Sequence, residues 1–321
     1  MKNSEVDFLK LLQKAQSLRS AVAKKSTAYR VVNGAPEGFP GVTLDCYGSH
    51  YQLQFFGTDL LPCREKLVAA IREAFDPKFL VSKFRLNPDG HSLETPLMEV
   101  EIGDAADAAT TVREGDCLFK VNLLDTVNPG LFLDMRAVRE DVEKRSKGRQ
   151  ILNLFSYTCS FGVHARKGGA ERAVNVDISG KVLDKGRENY ELNGIGAKPG
   201  EFFRGSALEY LAWCVRKGHR FGGIVLDPPS FARYKGTTFR VHEDLQMLVG
   251  VAASILDSDG FFMVSTNYSG YTPRHLADET LKTLEKVFPA VRLAWAHGQD
   301  ADFPGTGKMK ESCLSAAMFL T

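Results

Sequence analysis

The sequence predicts an α/β protein whose larger part is a doubly wound, mostly parallel sheet, preceded by a smaller α+β domain. Residues 151–177 form an apolar strand, a small polar loop, a helical segment and a second strand that ends in Asp177. A further buried strand, 223–226, also ends in an acid and is followed by two prolines. In sheets built from such units, ligands bind beyond the carboxyl ends of the strands.

Length and composition are those of an ordinary globular chain. Of its 321 residues, 44% are hydrophobic and 25% are charged, so two domains are expected. No apolar run reaches the roughly 18 residues that a membrane span needs, and the N-terminus lacks the pattern of a signal peptide. We therefore expect a cytoplasmic protein without a membrane segment.

Neither the cysteines nor the histidines indicate a metal site. The six cysteines include no C-x-x-C pair, and the seven histidines show no ligand spacing. Buried, reduced thiols and no bound metal are therefore expected.

The formal net charge of +2 is too mild to predict a nucleic-acid partner by itself. Basic residues are nevertheless concentrated near the N-terminus, at Lys10, Lys14, Arg19, Lys24, Lys25 and Arg30. Two interpretations stay open, a solvated helix face and a contact with an RNA backbone.

The N-terminal part is expected to contain a helix and a small sheet. Residues 1–26 form a basic amphipathic helix, whose apolar stripe is Phe8, Leu12, Ala15, Leu18 and Val22. Residues 27–108 form the small α+β domain. Its short alternating segments at 29–32, 42–46 and 51–56 predict antiparallel strands, followed by a helix over 62–75 and a strand over 79–85.

Residues 109–321 are predicted to form the larger domain, with a leading hairpin at 111–122. Beyond the unit at 151–177, alternating helices and strands complete a sheet of seven strands that ends in a hairpin. The further helices are expected at 182–192, 208–216, 242–256 and 274–288, and the further strands at 201–204, 223–226, 260–265, 291–295 and 313–319.

The loop after the strand at 151–155 argues against a dinucleotide ligand. Gly162 is the only glycine between Asn153 and Gly168, so the G-x-G-x-x-G pattern that lets a backbone approach a pyrophosphate is missing. An adenosine ligand without phosphates, such as S-adenosylmethionine, tolerates this loop. Asp177 would then accept the ribose hydroxyls, the alternative being a cap for the helix that begins near Ser179.

Four motifs carry a resemblance to a known family. They are N-L-F-S-Y-T at 153–158, D-P-P-S-F at 227–231, F-L-D-M-R at 132–136 and TAYRVVNGAPEGFPGVTLDCYG at 27–48. With these motifs the chain resembles class I S-adenosylmethionine-dependent methyltransferases. More narrowly, it resembles bacterial 23S ribosomal RNA large-subunit methyltransferases, without the N-terminal PUA domain that many of them carry. The resemblance implies a Rossmann-like seven-stranded catalytic domain, S-adenosylmethionine as cofactor and an RNA substrate.

The resemblance also implies roles for the residues of the cofactor site. Arg136 would pair with the methionine carboxylate, or else with Glu140, and Asn153 would orient the methionine ammonium group. Ile178 would pack on the adenine, and Ser206 stands where an aspartate usually accepts the adenine amino group. The predicted cofactor-binding residues are Arg136, Asn153, Phe155, Ser156, Tyr157, Thr158, Asp177, Ile178, Ser179, Ser206, Ala207 and Asp227.

Two positions of the predicted cofactor pocket depart from the family pattern in a way that would weaken binding. Cys159 stands where the family has glycine, which predicts a crowded loop, and the hydroxyl of Ser206 is a weaker acceptor than a carboxylate. These departures keep open a protein that binds S-adenosylmethionine and RNA without catalysis.

The predicted catalytic residues border the methyl group and the incoming base; they are Asp227, Pro228, Pro229, Phe231 and Asn267. Phe231 would stack on an unpaired base or else pack within its own loop. Methylation of a pyrimidine at carbon 5 needs a cysteine nucleophile. The cytosine-modifying relatives place it in the D-P-P-like motif or at the end of the fifth strand, and neither segment holds a cysteine here. A nitrogen acceptor, such as guanine N7 or an exocyclic amine, is therefore favoured.

The sequence thus predicts an S-adenosylmethionine-dependent methyltransferase that acts on a base of RNA, with 23S ribosomal RNA as the favoured substrate and a guanine nitrogen favoured over carbon 5 of cytosine. A 5-methylcytosine enzyme, a non-catalytic binding protein and a nicotinamide-dependent oxidoreductase are the alternatives. The expected partner is RNA, no membrane contact is expected, and a homodimer remains an open alternative.

Overall fold

The computed structural model describes residues 6–86, 90–126, 128–234, 236–305 and 314–321. The chain divides into two compact units, Met1–Leu133 with Asp300–Glu311, and Asp134–Gln299 with Ser312–Thr321. The domain boundaries after residues 26 and 108 stay predictions. Within the described ranges, every helix is too short or too polar to cross a membrane.

The predicted N-terminal helix is two helices, α1 (Phe8–Leu18) and α2 (Ser20–Lys25). The break comes at Arg19, whose buried guanidinium donates to the carbonyl oxygen of Arg30 (3.1 Å) and to the carboxylate of Glu37 (2.9 Å). The placement of Leu18 in the apolar stripe was wrong, because α1 ends there and leaves its side chain 64% exposed. Two of the six basic residues, Arg19 and Arg30, therefore belong to the interior of this unit.

The N-terminal unit contains a five-stranded sheet in the order β1-β2-β3-β4-β5. Strands β1 (Ala28–Asn33), β2 (Val42–Tyr47) and β3 (His50–Phe55) are antiparallel, as predicted. Helix α3 (Arg64–Phe75) then crosses over, so β4 (Phe79–Leu86) pairs in parallel with β3. The edge strand β5 (Ser92–Ile102) was not predicted, because it is largely exposed and lacks a clean apolar alternation.

The predicted hairpin is present as β6 (Ala109–Glu114) and β7 (Cys117–Asn122). A two-residue turn joins its strands, and its Gly115 has a φ of +56°, the left-handed conformation that tight hairpin turns require. The hairpin clusters with the N-terminal unit.

The C-terminal unit is the predicted seven-stranded sheet, in the order β10-β9-β8-β11-β14-β16-β15. Its first half alternates strand and helix through α4 (Arg136–Arg145), β8 (Gln150–Leu154), α5 (Ser160–Lys167), β9 (Arg172–Asp177), α6 (Gly180–Leu192), β10 (Phe202–Arg204) and α7 (Ala207–Lys217). Its second half consists of β11 (Phe221–Leu226), β12 (Phe231–Tyr234), β13 (Thr237–Arg240), α8 (Val241–Ala253), β14 (Leu256–Thr266), α9 (Pro273–Leu284), β15 (Arg292–His297) and β16 (Ser315–Leu320).

The strand order reverses between β8 and β11, because the chain first runs outward through β9 and β10 and then returns to the other side of β8. At such a switch point the loops that follow the two strands diverge, and the crevice between them is the usual ligand site. Apart from Arg136 at the start of α4, the predicted site residues lie at or just after the carboxyl ends of β8, β9, β10, β11 and β14.

The second half of this unit contains a hairpin that the sequence did not predict. Strands β12 and β13 are only four residues each and pair with one another rather than with the main sheet. The last strand was predicted to begin at Cys313, which lies outside the described residues; its described part is β16.

Candidate active site

The loop after β8 has an unusual backbone. Phe155, Tyr157 and Cys159 have φ values of 59°, 48° and 63°, so three non-glycine residues at alternate positions adopt the left-handed conformation. Each such residue costs about 1 kcal/mol or more, and such residues cluster at functional sites. The loop is held by the backbone N–H of Ser156, which donates to the carbonyl oxygen of Val176 (3.0 Å), and by a bond from Asn189 to the carbonyl oxygen of Thr158 (3.0 Å).

Cys159 does not crowd its own loop, because its thiol occupies space that α6 leaves empty. A Cβ built on Gly186 of α6 would lie 2.3 Å from the Sγ atom of Cys159. The cysteine is fully buried, and this burial raises the pKa of its thiol. The side chain is therefore a packing group and a poor nucleophile.

Asp177 is the last residue of β9, and its carboxylate connects the loop after β8 with the start of α6. One carboxylate oxygen accepts a hydrogen bond from the backbone N–H of Tyr157 (3.0 Å), and the other accepts one from Ser179 (2.9 Å). Burial raises the pKa of this carboxyl, while these N–H donors and that of Ile178 oppose the rise. Each oxygen keeps a further lone pair, so the carboxylate can still accept the two hydroxyls of a ribose. Ile178 is 37% exposed beside it.

Asn153 lies inside the sheet rather than at its open end. Its amide nitrogen donates to Asn175 on the neighbouring strand (2.9 Å), and Asn175 in turn donates to the hydroxyl of Tyr190 on α6 (2.8 Å). Asn153 is 1% exposed. Its side chain links β8 to β9 within the sheet, and its predicted contact with an ammonium group stays a prediction.

Ser206 caps α7. Its hydroxyl accepts from the backbone N–H of Glu209 (3.1 Å), whose carboxylate accepts from the N–H of Ser206 (3.2 Å). Ala207 is the buried first residue of the same helix. The spacing S-x-x-E is a capping-box signature and could have been read from the sequence. The hydroxyl hydrogen of Ser206 remains a donor.

Arg136 begins α4 and is buried. Glu140 is the alternative partner that the sequence predicts for Arg136, and its carboxylate pairs with Lys144 (2.8 Å).

The D-P-P-S-F motif and the end of β14 meet through two hydrogen bonds. Ser265 donates to the carboxylate of Asp227 (2.7 Å), and Ser230 donates to the side-chain oxygen of Asn267 (2.9 Å). These contacts follow from the parallel pairing of β11 with β14, which brings their carboxyl ends together. The predicted catalytic residues Asp227 and Asn267 are thus neighbours.

Burial raises the pKa of Asp227 to about 6. The hydrogen bond from Ser265 and the charge of Arg139 lower it, whereas the charge of Asp134 raises it. A carboxyl with this pKa can change its protonation state near neutral pH, as expected of an acid–base group in a site.

Phe231 begins the β12–β13 hairpin, is 48% exposed and lies 5.2 Å from the guanidinium carbon of Arg233. Pro228 before it is buried and Pro229 is exposed. On β13, Phe239 contacts Phe155, with ring centroids 5.8 Å apart. Sequence reasoning missed Phe239, since nothing in its spacing links it to the loop after β8. The hairpin thereby joins the loop after β8 to the motif after β11.

The fold and these loops define a class I methyltransferase domain. A model of the S-adenosylmethionine-dependent methyltransferase family matches residues 60–307, and the chain belongs to this family. S-adenosylmethionine is therefore its cofactor, and the nicotinamide alternative is set aside.

Known proteins of similar sequence and structure are also methyltransferases by name. The candidate ribosomal RNA large subunit methyltransferase YwbD of Bacillus subtilis is 31% identical over 277 residues, covering 84% of this chain and 69% of the relative. Ribosomal RNA large subunit methyltransferase I of Aeromonas salmonicida is 31% identical over 249 residues, covering 75% of this chain and 62% of the relative. The crystal structure of SMU.776, a candidate methyltransferase complexed with SAH, has a TM-score of 0.85 at 27% identity and covers 98% of this chain and 81% of that one. The chain thus spans about two thirds of the length of these curated relatives, and the motif resemblance is confirmed.

Proposed function

We propose that this chain transfers a methyl group from S-adenosylmethionine to a base of 23S ribosomal RNA, at a nitrogen atom. The observation that carries the proposal is the pair of hydrogen bonds from Ser265 to Asp227 and from Ser230 to Asn267, which hold the end of β14 against the motif that ends in the exposed Phe231. The names of both curated relatives support ribosomal RNA as the substrate.

The cysteines support nitrogen over pyrimidine carbon 5. The two described cysteines of the C-terminal unit are Cys159 and Cys214, and both are buried. Burial raises the pKa of Cys214 to about 11 and that of Cys159 further, so neither is poised as a thiolate. Cys313 lies outside the described residues. Identifying the methylated nucleoside therefore distinguishes a nitrogen acceptor from carbon 5 of a pyrimidine.

The residues present fit S-adenosylmethionine by the chemistry of their donors and acceptors. Asp177 would accept the ribose hydroxyls, Ile178 would cover one face of the adenine, and the guanidinium of Arg136 would pair with the methionine carboxylate. The rest of the S-adenosylmethionine molecule would be enclosed by the loop from Phe155 to Thr158, by Ser179, and by Ser206 and Ala207 at the start of α7.

When bound, S-adenosylmethionine supplies an electrophilic methyl group on its sulfonium. Phe231 would stack on the target base and hold its nitrogen in line with that methyl, while Pro228 and Pro229 keep the backbone of the motif rigid. Asn267 and the carboxylate of Asp227 would accept hydrogen bonds from the base. For an exocyclic amine as acceptor, the ionised Asp227 would take the proton that the nitrogen loses on methylation.

The proposal is tested by mass spectrometry of nucleosides from 23S ribosomal RNA of a strain that lacks the gene. We expect one methylated nucleoside, carrying its methyl on nitrogen, to disappear and to return when the wild-type gene is supplied. The Asp227→Ala gene should not restore it, whereas a gene with Arg274→Ala, a surface change on α9, should. An unchanged nucleoside profile would contradict the RNA substrate, and loss of 5-methylcytosine would contradict the nitrogen acceptor.

A further inference from the structure

The β12–β13 hairpin has two faces of different chemistry. In an antiparallel pair, directly opposite residues point to the same face and successive residues alternate. Phe231 is opposite Arg240, and Arg233 is opposite Thr238, so these side chains share one face. Ala232 is opposite Phe239, and this pair lies on the other face.

Phe239 identifies the inner face. Its ring centroid lies 5.8 Å from that of Phe155, so this face of the hairpin packs against the loop after β8. The face with Phe231 and the two arginines is the outer one, and the 48% exposure of Phe231 agrees with this assignment.

The outer face combines an aromatic ring with positive charge. The guanidinium carbon of Arg233 lies 5.2 Å from the centre of the Phe231 ring. Arg240 approaches Glu243 at 3.4 Å, in a pair whose side chains are both about half exposed. An exposed ion pair of this kind contributes little, so a phosphate can replace its carboxylate. The segment 230–240 contains no acidic residue.

We infer that the outer face of the β12–β13 hairpin binds unpaired RNA through Arg233 and Arg240, which contact the phosphates next to the target base, while the ring of Phe231 at the start of the hairpin stacks on the target base itself. Proteins that bind single-stranded nucleic acid combine stacking rings with cationic contacts to the backbone in this way. The inference rests on the proposed function for the identity of the RNA, and it adds a binding element that precedes chemistry. The hairpin starts within the D-P-P-S-F motif, so RNA held there enters directly beside Asp227 and Asn267.

The test compares Arg233→Ala and Arg240→Ala with Arg274→Ala. Arg274 is an exposed arginine of the same unit, paired with Asp278 (3.0 Å), so its removal changes the net charge equally. Binding of a mixed-sequence, single-stranded oligoribonucleotide is measured by fluorescence anisotropy at several salt concentrations. The KM for ribosomal RNA in methyl transfer and the Kd for S-adenosylmethionine are measured with the same proteins.

Each hairpin variant should weaken oligoribonucleotide binding about fourfold near 0.15 M salt and lower the salt slope by about 0.7, the value for one lost contact with a single-strand phosphate. The KM for RNA should rise similarly, while the Kd for S-adenosylmethionine should not change. The Arg274→Ala protein should match the wild type.

The outcomes separate this inference from the proposed function. If RNA is methylated but the hairpin variants bind it like Arg274→Ala, the inference is wrong and the proposed function stands. If no RNA is methylated while the hairpin variants still bind the oligoribonucleotide more weakly than the control, the proposed function falls and the binding face stands. A changed Kd for S-adenosylmethionine in the hairpin variants would contradict the assignment of the arginines to RNA.

Discussion

Cys159 and Gly186 share one space between the loop after β8 and helix α6. The cysteine adopts the left-handed conformation that favours glycine. Its Sγ atom lies only 2.3 Å from the position that a Cβ on residue 186 would occupy. The departure from the family pattern at 159 is thus accommodated by the absence of a side chain at 186.

Gly186→Ala should therefore destabilise the protein by about 1–3 kcal/mol, because the added methyl overpacks the thiol. In a Cys159→Gly background the same change should be close to neutral, since the space is then free. Urea unfolding of the wild type, the two single variants and the double variant measures the coupling free energy between the two changes, which should be at least about 1 kcal/mol. Combining Gly186→Ala with Cys214→Ala, a buried cysteine on α7, is the control, and it should be additive. Additivity of the 159 and 186 changes would contradict the shared space.

Asp227 is the residue whose charge should govern the response to pH. Its pKa of about 6 describes the folded protein, and the proposed role needs the carboxylate, so activity should fall as pH decreases through 6. Because the bond from Ser265 lowers this pKa, Ser265→Ala should move the acidic limb of kcat/KM upward by about one pH unit. The matched control is Ser269→Ala, an exposed serine of the same segment, whose limb should stay in place. If the acidic limb of kcat/KM is unchanged in Ser265→Ala, or moves to lower pH, a group other than Asp227 controls it.

At the scale of elements, two helical glycines distinguish close packing from open space. A Cβ on Gly162 of α5 would lie 2.3 Å from the side-chain oxygen of Asn175 and 2.7 Å from the hydroxyl of Tyr190. On Gly250 of α8 the nearest such atom, the methyl of Thr283, is 3.7 Å away. The first glycine lets α5 approach the hydrogen-bonded side chains of Asn175 and Tyr190, whereas the second has no such close neighbour.

Gly162→Ala should lower the free energy of unfolding by about 1–3 kcal/mol through overpacking. Gly250→Ala should raise it by about 0.5–1 kcal/mol, because alanine loses less backbone entropy in a helix. Both values come from urea unfolding of the purified variants. Equal effects of the same sign at the two positions would contradict this account of the packing.

The elements that were predicted and those that were missed differ in burial. Strands such as β8, β9 and β11 are buried along most of their length and rich in apolar residues, since both of their faces are covered, and their positions could be read from the sequence. Strands β5, β12 and β13 are exposed or short, so their residues carry little pattern. The break at Arg19 was missed because helical spacing does not reveal a distant ion-pair partner such as Glu37.

For the whole molecule, the sheet topology determines which predicted residues meet. Strand ends could be predicted, and adjacent parallel strands necessarily bring Asp227 and Asn267 together. Side-chain directions could not be predicted in the same way. Asn153 turns into the sheet towards Asn175, and Phe239 approaches Phe155 only because an unforeseen hairpin folds there.

The central claim is methyl transfer from S-adenosylmethionine to a base nitrogen of ribosomal RNA. The most direct measurement incubates the purified protein and labelled S-adenosylmethionine with 23S ribosomal RNA from cells lacking the gene, then digests the RNA and identifies the labelled nucleoside. We predict label in a single nucleoside, on nitrogen, and none with the Asp227→Ala protein. Label on carbon 5 of a pyrimidine would contradict the proposed acceptor, and an RNA without label, from a protein that binds S-adenosylmethionine, would contradict the RNA substrate itself.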